Sequence, residues 1–110
     1  MEINDFAKMN HERSRKHGSA DTFNWEYMLI AMSGECGELL NKLKKIKRGD
    51  FPLKKEDLAE EVADVITYAF LLLSELDVDA EKTIMNKFEK VNNRIANGGF
   101  HVRDDATAGI

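Results

Sequence analysis

The sequence predicts an all-α fold, a bundle of about four antiparallel helices, and three observations carry that prediction. Apolar residues recur at i, i+3, i+4 and i+7 through long runs. The chain holds one proline in 110 residues, so these runs are not broken. The interruptions that do occur, at Gly18, Gly49-Asp50-Phe51-Pro52 and Asp77-Val78-Asp79, are short turn-forming clusters spaced a helix length apart.

The first helix is expected over residues 3–17, with a thin apolar stripe of Ile3, Phe6 and Met9 and a stop at Gly18. The second is expected over 22–48, with Asp21 or Thr22 as its cap. Its stripe is Trp25, Met28, Leu29, Met32, Cys36, Leu39, Leu43 and Ile46. Lys42, Lys44, Lys45, Lys47 and Arg48 crowd its last turns, where cations complement the helix dipole, and Gly49 ends it. Gly34 and Gly37 are unusual inside this run, since each costs about 1 kcal/mol relative to alanine. Close approach of another backbone, of a ligand or of a packed helix would account for them.

The third helix is expected over 54–76. Leu58, Val62, Val65, Ile66, Ala69, Phe70, Leu72, Leu73 and Leu76 give it a broad apolar surface, suited to the centre of a fold or to a subunit interface. The fourth, over 80–96 behind Asp79, carries Ile84, Met85, Phe88, Val91 and Ile95. Residues 103–110 lack periodicity and read as a loose tail. The whole chain, 1–110, reads as a single domain whose modest core favours burial against a second subunit.

Composition narrows the function classes. With 16 basic and 20 acidic residues the formal net charge is −4, which gives no footprint for DNA or RNA. The single Cys36 forms no internal disulfide and reads as a small core residue, and no Cys/His spacing resembles a zinc site. Met1 to Lys16 is polar, unlike a secretory leader, and the longest apolar stretch, Val65 to Leu73, is too short to span a bilayer. A cytoplasmic protein with no membrane partner is expected. His11, His17 and His101 form no pattern and receive no role.

The chemistry is expected from two carboxylate pairs, Glu35 with Glu38 and Glu61 with Asp64. Each pair is spaced by three residues and shares a helix face. Taking each helix's first acid as zero, the apolar stripes centre near about +65° and +70°, and the second acid falls near about −60° in both. Both pairs therefore flank the apolar stripe on the same side. If the two helices pack antiparallel through those stripes, the four acids line one groove. They would repel each other unless neutralised, and a hard divalent cation with oxygen ligands, Mg²⁺ or Mn²⁺, fits that need. Asp57 shares the face of Glu61 and Asp64, whereas Glu60 points further out. Solvated structural acids are the alternative. A di-iron bundle is disfavoured because no Glu-x-x-His occurs.

At these residues the chain resembles a known superfamily. Gly34-Glu35-Cys36-Gly37-Glu38-Leu39, a basic run ending in Gly49-Asp50, and Leu58-Ala59-Glu60-Glu61-Val62-Ala63-Asp64-Val65 are similar to the MazG-like all-α nucleoside triphosphate pyrophosphohydrolases, the superfamily of MazG, dCTP pyrophosphatase and dimeric dUTPase. The likeness covers roughly Trp25 to Arg94. It implies a homodimer or homotetramer (a dimer of dimers) and Mg²⁺-dependent cleavage of a nucleoside triphosphate to a monophosphate and pyrophosphate. Removal of surplus or noncanonical nucleotides is the role it suggests. Glu35, Glu38, Glu61 and Asp64 would bind the metal and form the catalytic set, with Glu38 or Glu35 orienting the attacking water. Lys87, Asn92 and Arg94 would contact phosphates, although Val91 intervenes where the family places Asn directly after Lys. Trp25 would stack on the base, or pack in the core. A helical nucleotide-binding or regulatory module without turnover is the rival reading. The phosphoribosyl-ATP branch is disfavoured, since the C-terminal pattern of that branch is not found.

Overall fold

A computed structural model describes residues 1–19 and 21–98. Among them are four helices and no strand: α1 (Ile3–His17), α2 (Trp25–Arg48), α3 (Lys55–Glu75) and α4 (Ala80–Ala96). The all-α expectation holds, with the first and fourth helices at the expected bounds. The expected loose tail lies outside the described residues. No described helix is long and apolar enough to cross a membrane. The chain divides into one compact unit, Met1–Ala80, and a second, Glu81–Ile110.

The second helix starts three residues later than expected, and the reason is local hydrogen bonding. The amides of Thr22 and Phe23 donate to the Ser19 carbonyl at 3.1 and 2.7 Å, closing a turn that uses up the residues expected to begin the helix. Asn24, rather than Asp21 or Thr22, is the cap: its side-chain oxygen accepts the Tyr27 amide at 3.0 Å. At the other end Gly49 sits in the left-handed region at φ 89°. Its amide bonds to the Ile46 carbonyl and that of Asp50 to the Lys45 carbonyl, both at 3.0 Å, the paired bonds of a Schellman stop. α3 ends in the same pair of bonds, Asp77 to Ser74 at 3.0 Å and Val78 to Leu73 at 3.3 Å.

Within the first unit α3 is central, packed against both α2 and α1. Its α1 side is tied by an edge-on ring pair, Phe6 with Phe70 at 5.3 Å between centroids, and by buried Asn10 reaching the Thr67 carbonyl at 2.9 Å. Nearer the C-terminal end of α3, the buried carboxylate of Glu75 takes Arg15 on one oxygen and His11 Nε2, at 2.5 Å, on the other. Asn4 donates to Asp79 at 3.2 Å. His11, which has no recognisable pattern in sequence, thus works as a structural partner.

The apolar stripes are only partly covered. Met28, Leu71, Ala7 and Ala80 are buried, while Cys36 is half-buried rather than in a core. Burying a side chain such as Met28 contributes about 1.5–3 kcal/mol. Ile30 and Leu40 of α2 and Val62 and Ile66 of α3 stay exposed. A Cβ added at Gly34 or Gly37 would meet nothing within 4 Å among the described residues, so packing among those residues does not account for either glycine.

Candidate active site

Residue pairs across α2 and α3 run in opposite order. Lys42 meets Glu61. Glu35 feels the charge of Asp64. Met28 shares a cavity with Leu71. The helices are antiparallel, and the two acid-bearing faces turn toward each other as the spacing requires. One carboxylate oxygen from each of Glu35, Glu38 and Glu61 falls within 4.8 Å of the others. Asp64 stands outside this group of three, yet it is near enough to act on Glu35 electrostatically, and it borders the neighbouring cavity. Glu60 and Asp57 are exposed.

Glu35 is the least comfortable of these groups. Its Oε2 is shut off from solvent and has no hydrogen-bond partner. Burial, then the charges of Glu38 and Asp64, a side-chain hydrogen bond with Glu38 and the charge of Glu61 push its carboxyl above the ordinary carboxylate range. An orphaned, buried carboxylate oxygen facing two further carboxylates is a cost unless something positive fills the space between them. The donor set is all oxygen, which suits a hard cation such as Mg²⁺ or Mn²⁺. Of the described side chains, Lys42 of α2 approaches the cluster with a positive charge, its Nζ 3.5 Å from Glu61 Oε1.

Beside the acids lies a cavity of about 310 Å³. Phe23, Tyr27, Met28, Tyr68 and Leu71 supply its apolar and aromatic walls, Asn10, Arg13 and His17 its polar rim from α1, and Asp64 its border with the acid cluster. The rings of Phe23 and Tyr27 pair at 4.8 Å. Burial, with the charges of Glu35, Tyr27, Asp64 and Glu38 adding to it, raises the Tyr68 phenol, so its hydroxyl keeps its proton as a donor.

The sequence-expected contacts distribute unevenly. Trp25 opens α2 and is exposed, outside both the core and the cavity walls. Lys87, Asn92 and Arg94 lie on α4 in the second unit, with Lys87 and Arg94 seven residues apart and so within about 20° of one face. Phe23, Tyr27, Tyr68 and Arg13 were not singled out in sequence, and Lys42 was read only as one cation of the basic end of α2. Tyr68, one turn past Asp64 on the same face, carried a usable signal; Arg13 and His17 came from a helix with no motif at all.

The gene 37 protein of Mycobacterium phage L5 is 32% identical over 72 residues, covering 62% of this chain and 63% of that protein. The chain therefore spans less than two thirds of that relative's length. No solved structure matches. The profile of the MazG nucleotide pyrophosphohydrolase domain matches residues 23–98, a span that takes in the acid cluster, most of the cavity and all of α4. With its acids on antiparallel helices and that match over most of its length, the chain belongs to the MazG nucleotide pyrophosphohydrolase family.

Proposed function

We propose that this protein is a Mg²⁺-dependent hydrolase that cleaves a nucleoside or deoxynucleoside triphosphate to the monophosphate and pyrophosphate. The observation that carries the reading is the orphaned Glu35 oxygen within a three-carboxylate cluster, with Asp64 beside it bordering an aromatic cavity large enough for a nucleoside. Family membership supports the reaction class.

Glu35, Glu38 and Glu61 would hold the cation, and Asp64 would complete the set from the border of cluster and cavity. A bound Mg²⁺ or Mn²⁺ supplies charge screening for the phosphates and a more acidic water. Glu38, the exposed member of the cluster, orients the attacking water in this reading. Phe23, Tyr27 and Tyr68 offer ring faces to a base, and Arg13, Asn10 and His17 offer polar groups to its edge or to the sugar. Lys87, Asn92 and Arg94 as phosphate contacts, and Trp25 as a further stacking partner, rest on the family resemblance alone. The exposed Ile30, Leu40, Val62 and Ile66 support a homodimer or homotetramer, which sedimentation analysis checks. Nucleotide-pool cleaning in the cytoplasm is the setting this chemistry suits.

The test is product analysis over a panel of NTPs and dNTPs with Mg²⁺. Monophosphate and pyrophosphate are expected, and orthophosphate with diphosphate would sink the assignment. Glu38→Gln and Asp64→Asn should each lower turnover by two orders of magnitude or more, roughly the contribution of a positioned acid-base or metal-binding group, with helical circular dichroism retained. Nucleotide-induced thermal stabilisation without turnover would favour the binding-module reading instead.

A further inference from the structure

Glu35, Glu38 and Lys42 follow one another at i, i+3 and i+7 on α2, so all three lie on one side of that helix. From there the Lys42 ammonium reaches across to α3 and stands 3.5 Å from Glu61 Oε1, with both side chains about three-quarters covered (25% and 24% exposed). Glu61 is itself one of the three clustered carboxylates. Lys42 is therefore not one more cation of a basic helix end. It is drawn out of that run and turned onto the acid cluster.

We propose that Lys42 is a tethered cation of the acid cluster, paired with Glu61 while no metal is bound and giving that carboxylate up to an incoming divalent cation. The inference rests on the metal-binding reading above. It follows from simple competition: Glu61 cannot hold an ammonium at 3.5 Å and also turn the same oxygen onto a metal ion at about 2.0–2.6 Å without the two cations crowding each other. The pairing offsets part of the repulsion among the acids in the empty site. It also weakens binding of a bare ion, so loading favours a cation that arrives already carrying substrate phosphates. Lys42 is a positioning residue in this account.

The experiment is a calorimetric titration of the full chain with Mn²⁺ alone, for wild type, Lys42→Met and Lys42→Arg, with thermal melts of each metal-free protein. Lys42→Met should bind Mn²⁺ roughly fivefold tighter than wild type, the effect expected for loss of one partly screened ion pair. It should melt lower without metal and gain more on Mn²⁺ addition than wild type does. Lys42→Arg should stay near wild type in affinity, which shows that the charge and not the lysine stem matters. Equal Mn²⁺ affinity in wild type and Lys42→Met overturns the Lys42 inference and leaves the metal site standing. Mn²⁺ binding by Lys42→Met but not by wild type supports it in its strongest form. No Mn²⁺ binding by any of the three proteins overturns the metal site and the inference together.

Discussion

Asn10 Nδ2, on α1, donates to the main-chain oxygen of Thr67 on α3 at 2.9 Å, from a position only 4% exposed. The same two residues also line the cavity beside the acids. One hydrogen bond thus serves both the attachment of α1 and the shape of the proposed nucleoside site. Asn10→Ala is expected to cost about 1–3 kcal/mol, from the lost bond and the space left behind. Urea unfolding measures that cost. KM for the preferred nucleotide should rise in the same variant, because α1 forms the rim of the cavity.

The pH dependence of the metal-free protein has a definite sign at Glu35. Below its ordinary value of 4.5 the carboxyl is protonated whether the chain is folded or not. As pH rises, the unfolded chain gives up that proton first, because burial and neighbouring acids hold the folded value higher. The unfolded state is therefore favoured progressively, until the pH has passed the folded value and the loss levels off. Glu35→Gln removes this contribution. At neutral pH without metal the variant should be more stable than wild type, with a flatter stability profile above pH 4.5. Denaturation across pH in the presence of a chelator checks this, and a variant less stable than wild type at neutral pH would refute it. The same variant should lose turnover, since the discomfort of Glu35 is what a cation relieves.

Gly18 has no special backbone angle; it is needed for room. An added Cβ would lie 2.0 Å from Phe23 Cδ2 and 2.1 Å from Cε2, well inside contact distance. The Phe23 ring has to move if that space is filled, and Phe23 forms a wall of the cavity and pairs with Tyr27. Gly18→Ala should lower stability by about 1–3 kcal/mol, the usual range for overpacking. It should also raise KM with a smaller change in kcat, because the acids are not touched. A KM equal to that of wild type would place the base elsewhere than against Phe23.

Much of the architecture was legible because it is periodic. The stripes of α2 and α3, and the two acid pairs beside them, required only 100° per residue to place Glu35, Glu38 and Glu61 on facing sides. Gly49 was legible as a stop because a left-handed residue after a basic helix end is most often glycine. The start of α2 was not, since Asp21, Thr22 and Asn24 are all competent caps and only the turn closed on Ser19 selects Asn24. The cavity was not legible either. Its walls come from three elements, and Arg13 or Tyr27 has no local signature that separates a wall from a surface side chain. Lys42 was hidden for a related reason: in sequence it belongs to a run of lysines, and only the antiparallel register turns it toward Glu61.

Asp77 offers a test of the scaffold apart from the site. It holds the place within the stop-bond pair of α3 that Gly49 holds within that of α2, but at φ 57° it bears a side chain in the left-handed region. Asp tolerates that region better than branched residues do, yet it still crowds its own carbonyl, which glycine does not. Glycine in turn has more freedom to lose from the unfolded chain, and this offsets part of the gain. The strain is the larger effect where the left-handed angle is enforced on both sides, as the bonds from Asp77 to Ser74 and from Val78 to Leu73 do here. Asp77→Gly should therefore stabilise the protein by about 0.5–1 kcal/mol, the left-handed penalty of about 1–2 kcal/mol less the entropy cost of glycine. Asp77→Val, β-branched and least tolerant of positive φ, should destabilise it by more than that. Thermal melts of the two variants give the order directly. Neither should alter kcat or KM, because Asp77 lines neither the cavity nor the acid cluster. If Asp77→Gly melted below wild type, the turn would have to depend on the Asp77 carboxylate rather than on its backbone angle.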